Sequence, residues 1–153
     1  SKAERHMRKW LEKRRYQVLF LDGCHENFAM LEACPTQKAF GGGESTDKEE
    51  RCAGGSWWPE ELPTENEQND CRARLAENDN TVDYILTHDA PERLMDFAGV
   101  KQAEMSTLNA FFDSLLGTVQ YKKWFFGRYH RDLTVSPKAR CLFTDVVPLE
   151  EKA

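Results

Sequence analysis

Apolar residues at Ala3, Met7, Trp10 and Leu11 recur at helical spacing and predict a helix over 2–15 with one apolar face. A strand-like run follows at 17–22 and breaks at Asp22-Gly23. Glu26 to Ala33 is a short helix-prone stretch offering Phe28, Met30 and Leu31, and Pro35 stops it. Between Ala39 and Pro63 the glycines at 41–43 and 54–55, with Pro59, preclude regular structure. Loops of that length inside a compact chain tend to be functional, and Trp57-Trp58 are expected to pack this one down rather than stack on a ligand.

The second half is patterned more sharply. Thr64 and Glu67 form a capping box that opens a polar helix running to Asn78, whose thin stripe of Cys71 and Leu75 predicts a surface position. Val82–Thr87 reads as a strand ended by His88 and Pro91. Met105, Leu108, Phe111, Phe112, Leu115 and Leu116 give the best amphipathic helix in the chain, closed by Gly117. "KKWFFGRYH" supplies a third strand, and Leu133–Val135 with Cys141–Val147 predict a terminal hairpin around Ser136-Pro137. Strands alternating with helices, then paired strands, predict an α/β fold with a mixed sheet.

Composition narrows the class. A chain of 153 residues, 40% hydrophobic, is sized for one core, so a single domain over 1–153 is expected. It has neither a membrane-length apolar run nor a signal sequence, which predicts a cytoplasmic protein with no membrane partner. A net charge of −5 argues against a nucleic-acid partner. The charge is uneven, basic over 1–15 and acidic over 44–79, and reads as two solvated faces. Five cysteines without a C-x-x-C pair indicate free thiols, not a disulfide framework or zinc ribbon.

The chemistry gathers at histidines. His25 follows "VLFLDGC", His88 follows "DYILT" and His130 follows "KWFFGRY", so each stands just past a strand's C-terminal end, where open α/β sheets collect ligands. If those strands are neighbours, the imidazoles share a site suited to metal ligation or general acid chemistry. His6, on the basic helix, is expected at the surface. Asp89, beside His88, reads equally as a carboxylate that orients an imidazole or as a solvent-facing one.

These residues carry a resemblance. "DGCHENF", "FGGGESTDKE", "GGSWWPEELP", "DYILTHDAP" and "WFFGRYHRD", in that order and with the terminal hairpin, resemble the C-terminal three-quarters of a calcineurin-like metallophosphoesterase of the small bacterial or phage type. The resemblance implies an αββα sandwich of two mixed sheets, incomplete here, ending in the β-hairpin. It also implies divalent ions at the strand ends, Mn2+ or Zn2+, two in the family, with a metal-bound hydroxide attacking a phosphoester substrate.

Residue by residue the match is uneven. The chain is expected to lack the family's first two metal-binding strands, as a piece of such a domain would, leaving an unpaired sheet edge through which homo-oligomers form. The G-N-H-E motif is Gly23-Cys24-His25-Glu26. His25 is implied to protonate the leaving group, and Cys24 stands where the family has a ligand asparagine, a weak ligand for a hard metal. His88 and His130 match metal-ligand histidines. In Gly127-Arg128-Tyr129-His130, however, arginine replaces the first histidine of G-H-x-H. Guanidinium offers no lone pair, repels a dication and suits phosphate binding. One metal ion or none is therefore expected. The expected function is a phosphoesterase-like protein of low or no activity, the alternative being a non-catalytic module that binds a phosphate-bearing ligand or a protein.

Overall fold

The computed structural model describes residues 62–100 and 106–149, together with Lys2, Arg5, His6, Lys9, Trp10 and Lys13. The strand expected at 17–22, the helix over Glu26–Ala33, the glycine-rich loop with Trp57-Trp58, and both Cys24 and His25 lie outside the described residues. Lys2, Arg5, His6, Lys9 and Trp10 are helical and exposed, His6 as expected.

Helix α1 (Glu65–Glu77) opens on the capping box: Thr64 Oγ1 accepts from the Glu67 N–H at 3.3 Å, and Glu67 Oε2 accepts from the Thr64 N–H at 2.9 Å. None of its residues is buried, as its thin apolar stripe predicts. Strand β1 (Tyr84–Thr87) follows. Next comes α2 (Glu92–Phe97), one helix that the hydrophobic pattern did not announce because it is only six residues long. It ends in a Schellman motif: Gly99, at φ 70°, donates to the Asp96 carbonyl and Val100 to that of Met95, both at 3.0 Å. Helix α3 (Thr107–Leu116) then leads to β2 (Lys123–Phe126), β3 (Leu133–Ser136) and β4 (Ala139–Cys141).

The four strands form one mixed sheet in the order β1-β2-β4-β3. β1 and β2 are parallel, with Tyr84 opposite Lys123 and Thr87 opposite Phe126, and α2 and α3 make the crossover that parallel pairing demands. β2 is parallel to β4, and β3 pairs antiparallel with β4 across a Pro137-Lys138 turn. The hairpin forms where expected, but its second strand is Ala139–Cys141 rather than Cys141–Val147. The reason is local: the amides of Phe143, Thr144 and Asp145 donate to the Asp132 carboxylate at 2.8–3.2 Å, which draws them off the ladder.

The core lies between α3 and one face of the sheet. Leu108, Phe111, Phe112 and Leu115 of α3 meet Trp124, Phe126, Val135, Ala139 and Cys141, with Met95 of α2 alongside. Phe125 points the other way and is still only 5% exposed, so β2 is covered on both faces, as suits an inner strand of a parallel pair. The start of α3 is fastened to the segment after β1. Asn109, fully buried, accepts from the Ser106 N–H and hydroxyl at 3.1 and 2.7 Å while its amide donates to the Ala90 carbonyl at 2.8 Å. That bond fixes where the chain leaves β1, and so positions the residues described next.

Candidate functional site

Because β1 and β2 are parallel and paired to their last residues, Thr87 and Phe126, the segments beyond them emerge side by side. The Gly127 N–H donates to the His88 carbonyl at 3.0 Å, so the two motifs that the sequence separates by some forty positions are joined backbone to backbone. An open cavity of about 250 Å³ lies there, lined by Leu86, Thr87, His88, Phe125, Phe126, Gly127 and Leu142. Its walls are mainly apolar, and among the described residues that line it His88 is the one ionisable side chain.

Asp89 is the buried centre of this edge, with no exposed surface. Its Oδ1 accepts from the Ala90 N–H at 2.8 Å and the Tyr129 hydroxyl at 2.5 Å, and its Oδ2 forms an ion pair with Arg128 Nη1. The Arg128 side chain is itself only 12% exposed. Burial, then the Asp89 charge beside it, push the Tyr129 hydroxyl far above its ordinary range, which favours the protonated form that donates to Asp89. Thr87 extends the network: its hydroxyl accepts from the Trp124 indole N–H at 2.8 Å and donates to the Asp89 carbonyl at 2.5 Å.

The turn after β2 is held against its backbone preference. Arg128 at φ 66° and His130 at φ 49° are both left-handed, a conformation costing non-glycine residues about 1–3 kcal/mol each and surviving only where the surroundings impose it. Here the Asp89 pair, the Tyr129 N–H to Gly127 carbonyl bond at 2.8 Å and the Gly127 to His88 bond impose it.

The sequence-derived candidates therefore fall into different company. The strands that His88 and His130 follow are neighbours, which meets the condition for a shared site as far as the strands go. His88 lines the cavity, whereas His130 is exposed and stacks on Phe143 with ring centres 5.0 Å apart. Arg128 lies against Asp89. Among the described residues no three His, Cys, Asp or Glu side chains gather as a metal-holding group. Nor does the donor set of this edge suit a divalent ion as it stands, because its buried carboxylate already faces a permanent cation that has no lone pair to give. Asp89 and Tyr129 are the residues that sequence reasoning undervalued. The signal was present in "HDAP", where an acid directly follows a strand-end histidine and precedes a proline that buries with it.

Asp132 anchors the chain after β4. The Thr144 hydroxyl, at 2.6 Å, and then the amides of Phe143, Asp145 and Thr144 hold its carboxyl well below the usual aspartate range. A depressed folded pKa adds stability that is present above the ordinary aspartate value and is lost as pH falls through the lowered one. The amide shifts of residues 143–145 should thus hold steady on acidification through about pH 4, where an ordinary aspartate titrates. In Asp132→Ala they should be displaced at neutral pH, and His130 should lose its contact with Phe143. Unchanged amide shifts in that variant would sink the anchoring role.

Comparison with family models, curated proteins and solved structures finds no match to this chain. No helix among the described residues is long and apolar enough to cross a membrane.

Proposed function

We propose that this chain is a metallophosphoesterase-like domain, built as an incomplete αββα sandwich, with low or no hydrolytic activity of its own. The observation that carries the reading is the meeting of "THDAP" and "GRYH" at the C-terminal ends of adjacent parallel strands, with the terminal hairpin beyond them. A phosphoesterase-like chain would present its phosphoester at that edge, with His25 as the acid that protonates the leaving group. The ligand roles assigned to His88, His130 and Cys24 belong to the ancestry this reading invokes. A cytoplasmic setting suits the five cysteines. β1, an outer strand of the described sheet, is where homo-oligomers would add. The alternative, a phosphate-binding module using Arg128, has to draw on a guanidinium that is little exposed and whose charge already faces a buried carboxylate, and is the less favoured reading for that reason.

Two measurements test the proposal. Chelator-stripped protein titrated with Mn2+ or Zn2+ should turn over p-nitrophenyl phosphate no faster than buffer containing the same metal, and His88→Ala should change nothing. Metal-dependent turnover that disappears in His88→Ala would show a working centre and defeat the claim of low activity. Ancestry is tested separately by a crystal structure. Residues 17–60 should contribute a second sheet facing Leu86 and Phe125, and helices packed there would exclude the sandwich.

A further inference from the structure

A carboxylate with no exposed surface is tenable only beside a counter-charge or a full set of hydrogen bonds. For Asp89 that counter-charge is Arg128, on Oδ2, while the Tyr129 hydroxyl and the Ala90 N–H fill Oδ1. The pair lies where the two histidine-bearing segments meet: His88 directly precedes Asp89, His130 directly follows Tyr129, and the Gly127 N–H to His88 carbonyl bond closes the seam. A metal ion drawn to this carboxylate has to displace a guanidinium that has no lone pair to offer it and that the left-handed turn aims at Asp89.

We propose that Arg128 is the resident cation of this edge, closing the ends of β1 and β2 to divalent metal ions and holding them together without one. The carboxylate and imidazoles of the edge are of the kinds that bind metals, and one fixed positive charge makes a metal both redundant and unwelcome. The inference rests on the burial and partners of Asp89, and it stands whether or not the chain is phosphoesterase-like.

The probe is Mn2+ added to chelator-treated protein, read by the thermal unfolding midpoint and by paramagnetic broadening of the assigned His88 and His130 imidazole signals. Wild-type protein should unfold at the same temperature in EDTA and in Mn2+, without selective broadening of either ring. Arg128→His puts a lone pair where the guanidinium was. It should bind Mn2+ about 10–100-fold more tightly than wild type, the scale on which one partner of a metal ligand moves affinity. Arg128→Lys keeps a cation and should remain indifferent to the metal.

Selective broadening of His88 in the wild type, with a raised midpoint, would overturn the proposal. So would a folded Arg128→His that gains no affinity. A variant that folds only when metal is supplied would support it, and if that variant folds under neither condition, the wild-type titration decides alone. Because every readout is binding or stability, a silent phosphatase assay leaves these outcomes unaffected.

Discussion

Replacing Arg128 with alanine is expected to destabilise the fold by about 3–5 kcal/mol, the penalty for stripping one partner from a buried ion pair. The magnitude follows from what is left behind. Asp89 has no exposed surface, and its remaining donors, the Tyr129 hydroxyl and the Ala90 N–H, are neutral. Water has little access to replace the guanidinium, because Arg128 is itself only 12% exposed. The penalty belongs to the orphaned carboxylate rather than to the arginine, so Asp89→Asn combined with Arg128→Gln should recover much of the loss. Urea denaturation of the single and double variants measures both. A loss under about 1 kcal/mol for Arg128→Ala would place the pair among surface ion pairs and remove the argument for a buried clasp.

The same pair shows where reading the sequence reached its limit. That β1 and β2 end in polar motifs was legible, because apolar runs stopping at "THDAP" and "GRYH" have few other readings. The capping box at Thr64 and the amphipathic pattern of α3 were equally plain, since each rests on contacts within a few residues. Which polar residue would face which was not legible. Asp89 and Arg128 are 39 positions apart, and only the parallel register of β1 on β2 brings them together. Arg128 taken alone suggests a phosphate ligand. With Asp89 beside it, the same charge is engaged inside the protein. The length of β4 was missed for a similar reason: Val146 and Val147 look like strand residues, but Asp132, across the hairpin, captures the amides just before them. Hydrophobic pattern records which residues want burial and is silent on long-range polar capture.

Trp124→Ala should be about as damaging as the loss of Arg128, by about 3–5 kcal/mol, since deleting a buried aromatic leaves a cavity that the surroundings fill only in part. Trp124 has no exposed surface and meets Phe112 and Tyr121 edge-on, with ring centres 5.7 and 5.6 Å away. Its indole N–H also donates to Thr87, whose hydroxyl in turn holds the Asp89 carbonyl. Trp124→Phe separates the two contributions: most of the ring remains, while the hydrogen bond, worth about 0.5–1.5 kcal/mol net, is lost. If core and edge form one network through Thr87, Trp124→Phe and Arg128→Ala should be non-additive by about 0.5 kcal/mol or more in a double-mutant cycle. Additivity within the error of the measurement would mean that the buried clasp is set by Asn109 and the strand register alone. The tryptophan would then be a packing residue that merely lies nearby. Non-additivity would mean that the helix-facing core and the strand-end cavity respond together, so that repacking around Trp124 changes how His88 is presented.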